Sequence, residues 1–145
     1  MKQKISYSSF MSGLTIAYFI VFVAIFVLFW VFIDKPFDNV FFWILVGLFC
    51  VSFCWIFGTI PDSVSADDDY ISENRPFNNR RYNYSDIKSI DAIDSDSYPS
   101  DAYKGSHFHG KYKYPVLITL KDGKKYVIGS QDAKELVDYV NKRLS

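Results

Sequence analysis

The sequence predicts a chain in two parts. The first is a membrane α-helical hairpin; the second is an α+β tail, an antiparallel sheet closed by a C-terminal amphipathic helix. Three observations predict it. Two apolar runs, 14–33 and 40–60, flank a polar break of six residues. A segment from Val116 to Ile128 alternates in the manner of paired strands around Lys121-Asp122-Gly123. The last residues, from Asp132 to Leu144, repeat apolar side chains at helical spacing.

The apolar runs read LTIAYFIVFVAIFVLFWVFI and VFFWILVGLFCVSFCWIFGTI, with no charge between Lys4 and Asp34 or between Asp38 and Asp62. About 20 apolar residues are needed to cross a hydrocarbon layer of ~30 Å, and each run supplies them. Backbone amides have no water partner in lipid, so the many Val, Ile and Phe residues must be helical despite their strand preference. A signal peptide has a shorter apolar core and a small-residue exit, neither of which fits the first run. Helices of a soluble domain carry a polar stripe, which is absent here.

Small residues suggest how the spans meet. Gly13, Ala17 and Ala24 lie along one side of the first, and Gly47, Cys54 and Gly58 along one side of the second. In an antiparallel hairpin turning about Lys35–Pro36, facing positions sum to 71. Ala24 then meets Gly47, Ala17 meets Cys54 and Gly13 meets Gly58, permitting close approach. Two Lys on the N-terminal side, one in the link and three Arg beyond the second span place both termini in the cytoplasm. Trp30 and Trp43 bracket the turn as interfacial aromatics do.

The 16 basic and 16 acidic residues balance, but unevenly. Residues 62–101 hold ten acids and four bases; residues 102–145 hold nine bases and four acids. Net charge thus gives no support to nucleic-acid binding, while the basic half suits an anionic leaflet. The two cysteines, Cys50 and Cys54, share a helix face inside the second span and imply no disulfide.

The chain divides into a tail and hairpin (1–61), an acidic linker (62–68) and a small domain (69–145). Pro61 ends the second helix. Strand-like pieces follow at Tyr70-Ile71, at Arg80–Tyr84 and from Ile87 to Ile93, with a corner at Tyr84-Ser85-Asp86. Residues 94–113 are turn-formers with scattered aromatics and at most a weak strand near Ala102–Phe108. Gly123 at positive φ closes a loop that sets Leu120 opposite Lys124, Ile118 opposite Tyr126 and Val116 opposite Ile128. Asp132 with Glu135 has capping-box spacing. Ala133, Leu136, Val137, Val140 and Leu144 form the stripe that packs on the sheet.

Two N-terminal spans, an acidic lead-in, the corner YSDIKSID, the hairpin VLITLKDGKKYVIGS and the helix QDAKELVDYVNKRL together resemble small bacterial membrane proteins that carry a PH-like tail. The resemblance covers Asp69–Leu144 and the hairpin topology. It rests on Ile87, Ile90, Leu120, Gly123, Tyr126, Ile128 and the helix stripe, which are fold-forming positions. It implies a bent antiparallel PH-like sheet closed by the C-terminal helix, in a bacterial cytoplasmic membrane. Five to six strands are legible where a full PH sheet has seven. The basic first-hairpin pocket of lipid-binding PH domains is not evident, so no phosphoinositide site is implied.

No catalytic motif is legible, and the expectation is a non-enzymatic protein without a cofactor. His107 and His109 would share one face of a strand. Zinc would need further ligands, for which Asp96 and Asp101 are the nearby oxygens. The function expected is an interaction module at the inner leaflet that binds a protein partner or lipid headgroups. Its surface would comprise Tyr103, Lys104, His107, Phe108, His109, Lys111 and Lys113, with the basic edge Lys121, Lys124 and Lys125. Two rivals stand beside it: an accessory subunit of a larger membrane complex, and a metal-dependent enzyme using His107 and His109.

Overall fold

The computed structural model describes residues 1–103 and 110–144. Helix α1 (Gly13–Phe32) starts where the Ser12 hydroxyl accepts the Thr15 amide at 3.3 Å. Helix α2 (Val40–Gly58) starts where the Asn39 side chain accepts the Phe41 amide at 2.9 Å. Both caps satisfy donors that an isolated helix leaves open. The two helices are long and apolar enough to cross a membrane. Trp30 and Trp43 flank the turn, and the Trp43 indole donates to the Phe37 carbonyl at 2.8 Å.

The side chains that meet between the two helices are aromatic rings, not the small residues. Phe22 stacks on Phe49 with centroids 3.4 Å apart, and Phe29 lies 6.3 Å from Phe42. Tyr18 stacks beside Phe49, and its hydroxyl donates to Ser52 at 2.7 Å. Gly13, Ala17, Ala24, Gly47 and Cys54 all face outward. A Cβ on Gly13 or Gly47 would meet nothing within 4 Å. The proposed small-residue seam is therefore replaced by a ring-lined one. Phenyl faces give far more dispersion contact than glycine Cα atoms. Gly58 alone of the six is buried, beneath Phe77 rather than Gly13.

Seven strands are present among the described residues, in two antiparallel sheets and not as a closed barrel. Lys2–Lys4 (β1), Ser63–Ala66 (β2), Tyr70–Asn74 (β3) and Arg80–Asn83 (β4) form one sheet in the order β1-β2-β3-β4. Ile87–Ala92 (β5), Tyr114–Leu120 (β6) and Lys125–Ser130 (β7) form the other in the order β5-β6-β7. The count of five to six strands in a single bent sheet is thus corrected to four plus three. The additions come from stretches read as tail and linker. β1 is too short to show a period, although Gln3 and Ile5 point inward between exposed Lys2 and Lys4. β2 consists of small residues that resemble a spacer, yet Ser63, Val64 and Ala66 are buried. The Asn74 side-chain amide donates to the Ser63 hydroxyl at 3.3 Å, which in turn donates to the Asp62 carboxylate at 3.1 Å, and so makes that burial tolerable.

The β6–β7 register is the expected one: Val116 opposite Ile128, Ile118 opposite Tyr126, and Gly123 at φ +88°. Helix α3 (Ala133–Leu144) begins at Asp132, whose carboxylate accepts the Glu135 amide at 3.0 Å. Leu136 and Val140, fully buried, pack with Val64, Ile71, Ile87, Ile90, Val116, Ile118 and Ile128 as the main core. The reverse face of β6–β7 is covered too, by Ile5, Ala102 and Tyr112 around Val127.

The N-terminal segment is the seam of the domain. After β1, Ser6 donates its amide to Ser130 on β7 and accepts that of Lys113. The Gln3 side chain donates to Glu135 at 2.7 Å and accepts the amides of Gln131 and Asp132, securing the start of α3. Glu135 thus answers Gln3 instead of closing a capping box.

Candidate ligand cleft

Strand β4 is the outer strand of its sheet, paired only with β3 through Glu73↔Arg80, Ser72↔Arg81, Ile71↔Tyr82 and Tyr70↔Asn83. Beside it lies a cleft of about 470 Å³ lined by Arg80, Arg81, Tyr82, Tyr103, Leu120 and Tyr126. Tyr82 and Tyr126 form the floor, with ring centroids 5.1 Å apart. Tyr103 forms a wall: it bridges Tyr126 in parallel fashion, its amide donating to the Lys125 carbonyl at 2.8 Å and its carbonyl accepting from Val127 at 2.9 Å.

The arginines carry the site's charge. The Arg80 guanidinium sits 4.3 Å from the Tyr103 ring centroid and donates to the Tyr103 hydroxyl at 2.8 Å. Arg81 lies 5.0 Å from the Tyr70 ring centroid. Among the described residues, the ion pairs involve Arg75, Lys111, Lys124, Lys125 and Arg143, not Arg80 or Arg81. Guanidiniums resting on tyrosine rings, with donors left over, have the chemistry to pair with carboxylate or phosphate oxygens. Burial pushes the Tyr82 hydroxyl well above its ordinary value, with the Glu73 carboxylate adding to the effect, so the floor stays neutral.

Glu73, across from Arg80, turns its carboxylate away from the cleft. It is buried, bound by Arg75 on one oxygen and by the Tyr112 hydroxyl at 2.9 Å on the other. This interior network ties β3 to the run before β6, and it engages the Glu73 carboxylate with Arg75 and Tyr112 rather than in an ion pair with Arg80. Burial and the Glu73 charge both raise Tyr112 well above its ordinary value.

The expected surface is dispersed. Tyr103 belongs to the cleft. Lys104, His107, Phe108 and His109 lie outside the described residues. Lys111 pairs with Asp96 at 3.2 Å, and Lys113 lies 5.3 Å from the Tyr114 ring centroid, both near the start of β6. Lys121 and Lys124 stand at the opposite end of the β6–β7 hairpin, about 20 Å away at ~3.3 Å per strand residue. Lys124 pairs with Asp122 at 2.9 Å and Lys125 with Asp101 at 2.7 Å, so two of the three edge lysines are already matched. Asp101 is held below the usual carboxylate range by its Lys125 hydrogen bond. Among the described residues, no three His, Cys, Asp or Glu side chains could hold a metal ion.

Sequence reading missed Arg80 and Arg81 as a site because their partners are distant in the chain. Tyr103 and Tyr126 reach them only when the second sheet folds across the first. An Arg-Arg pair opening a short alternating strand is the one local signal. Comparison of the chain with family models, with curated proteins and with solved structures gave no match.

Proposed function

We propose that the chain is a membrane-anchored, non-enzymatic interaction module. Its PH-like domain presents the Arg80–Arg81 cleft, on the cytoplasmic side, to an acidic segment of a partner protein. The observation that carries this is the pair of guanidiniums, without carboxylate partners among the described residues, beside the open edge of β4. An extended acidic peptide gains main-chain hydrogen bonds along such an edge and charge-assisted bonds from the arginines. Four- and three-stranded antiparallel sheets with a C-terminal helix against them support the PH-like reading. The Lys and Arg tally around the spans supports the cytoplasmic side.

The test uses the full chain in nanodiscs of zwitterionic lipid, titrated with a fluorescent Glu-rich peptide and followed by anisotropy. Binding should weaken at least tenfold in Arg80→Ala/Arg81→Ala and fall with added salt. Equal binding by the double variant would remove the cleft from the account. Binding that appears only with anionic vesicles, and not with peptide, would assign the arginines to lipid headgroups instead.

A further inference from the structure

The turn between β3 and β4 reaches toward the helices. Its Phe77 amide donates to the Gly58 carbonyl at 3.1 Å, taking up one of the acceptors left open at the end of α2. The Phe77 ring lies flat against Gly58, where a Cβ would come within 2.0 Å of ring carbons. Only glycine lets the ring approach so closely. Phe77 remains 64% exposed and forms one wall of a groove of about 360 Å³ whose other walls are Cys50, Val51, Cys54 and Trp55. Val51 and Trp55 are each 70% exposed.

The depth of this groove decides what fills it. Cys50 and Val51 stand two turns inside the end of α2, about 12 Å along its axis at ~1.5 Å per residue. The Phe77 ring rests on Gly58, the last residue of α2, and the groove it walls runs inward from there to Cys50 and Val51, so it opens into the apolar layer if α2 crosses it. The turn is prepared for that setting. Its Arg75 amide is closed by the Asn79 side chain at 3.0 Å, and the Arg75 guanidinium is drawn inward to Glu73. Exposed backbone and charge, the features lipid excludes, are thus reduced at the tip.

We propose that the β3–β4 turn is inserted in the bilayer through Phe77, and that the groove between Phe77 and α2 holds a phospholipid acyl chain. This rests on the membrane-spanning reading of α1 and α2. The groove is continuous with the outward face of α2, its walls are almost wholly apolar, and an acyl chain matches that chemistry. The domain would then be fixed to the membrane at a third point besides the two chain crossings.

The full chain, reconstituted in phosphatidylcholine vesicles, tests this with single tryptophans on a background of Trp30→Phe, Trp43→Phe and Trp55→Phe. Phe77→Trp should be quenched by acyl-chain bromines and shielded from aqueous iodide, as a chain retaining only Trp55 should be. Tyr70→Trp, at the far end of β3, should show the reverse. Iodide quenching of Phe77→Trp equal to that of Tyr70→Trp, while Trp55 responds to bromolipid, overturns the insertion and leaves the spans intact. Iodide quenching of Trp55 itself overturns the spans and the insertion together. Native mass spectrometry of the otherwise unaltered chain supplies a second readout. Wild type should retain one phospholipid that Phe77→Ala loses, and equal retention overturns the groove.

Discussion

Lys4, which precedes the first apolar helix, is paired with Ser63, which follows the second. The chain therefore leaves the sheet, passes through the whole helical hairpin and returns to the neighbouring strand. Both ends of the hairpin emerge at the domain, and the domain is held by two strands rather than hung from one linker. Asp62 continues the junction: its carbonyl accepts the Ile5 amide at 2.9 Å, and its amide donates to Asn74 at 3.0 Å.

The pairing Lys2↔Ser65 makes a direct test. Side chains directly opposite in an antiparallel pair have Cβ atoms about 4.5–5.5 Å apart, close to disulfide reach. With Cys50→Ala and Cys54→Ala, the variant Lys2→Cys/Ser65→Cys should oxidise readily to an intramolecular link. Lys2→Cys/Lys88→Cys should not. Equal rates for the two pairs, read by peptide mapping under mild oxidant, would refute the strand exchange across the hairpin.

The buried Glu73–Arg75 pair should behave as an all-or-none unit. Glu73→Leu strands a buried guanidinium whose Nε already lacks a hydrogen-bond partner, and a loss of about 3–5 kcal/mol follows. Arg75→Leu strands the carboxylate in turn. The double change Glu73→Leu/Arg75→Leu removes both charges and should recover most of the loss. Thermal melts of the four proteins in detergent close the cycle. Additive losses would mean the pair is not coupled.

Much of the architecture was legible because it depends on local periodicity or on composition. The two long apolar helices follow from length and lack of charge. The β6–β7 register follows from Gly123 and the alternation of Val116, Ile118, Tyr126 and Ile128. Helix α3 follows from its stripe. What stayed hidden depends on partners far along the chain. Gln3 looks like a tail residue until it is seen bonding Glu135, and Ser63 looks like linker until Asn74 and β1 surround it. The residues that face each other across the hairpin were not readable. Small-residue spacing and ring spacing are both helical, and a single sequence does not say which stripe meets its mate. The cleft was hidden for the same reason, since Arg80 and Tyr103 meet only after both sheets form.

The ring-lined seam reverses the mutational ranking that a small-residue seam would give. Gly47 has open space where its side chain would be, so Gly47→Leu should leave hairpin association unchanged within about 0.5 kcal/mol. Phe49 touches Tyr18, Phe19, Phe22 and Phe53, so Phe49→Ala should loosen the pair by about 3 kcal/mol or more. Cysteine cross-linking across the two helices measures both. A larger effect from Gly47→Leu than from Phe49→Ala would restore the seam of small residues.

Alkaline pH should unfold the sheet domain through its tyrosines. Burial pushes the hydroxyls of Tyr7 and Tyr82 well above 10, with Glu73 adding to each, and burial raises Tyr84 to about 12. A raised folded-state value means the native protein holds its proton more tightly than the unfolded chain, which titrates near pH 10. The contribution is therefore complete below pH 10 and is lost as pH climbs toward the folded-state value. The buried Tyr82 hydroxyl removes about 1.4 kcal/mol per pH unit in that window. Tyr82→Phe deletes one such group, so between pH 10 and 11 its stability should fall less steeply than that of wild type, by about one proton's worth of slope. Denaturant midpoints of the two proteins at pH 8, 10 and 11 measure the difference. Parallel curves would show that the Tyr82 hydroxyl titrates as if it were in water, and that the floor of the cleft is not buried.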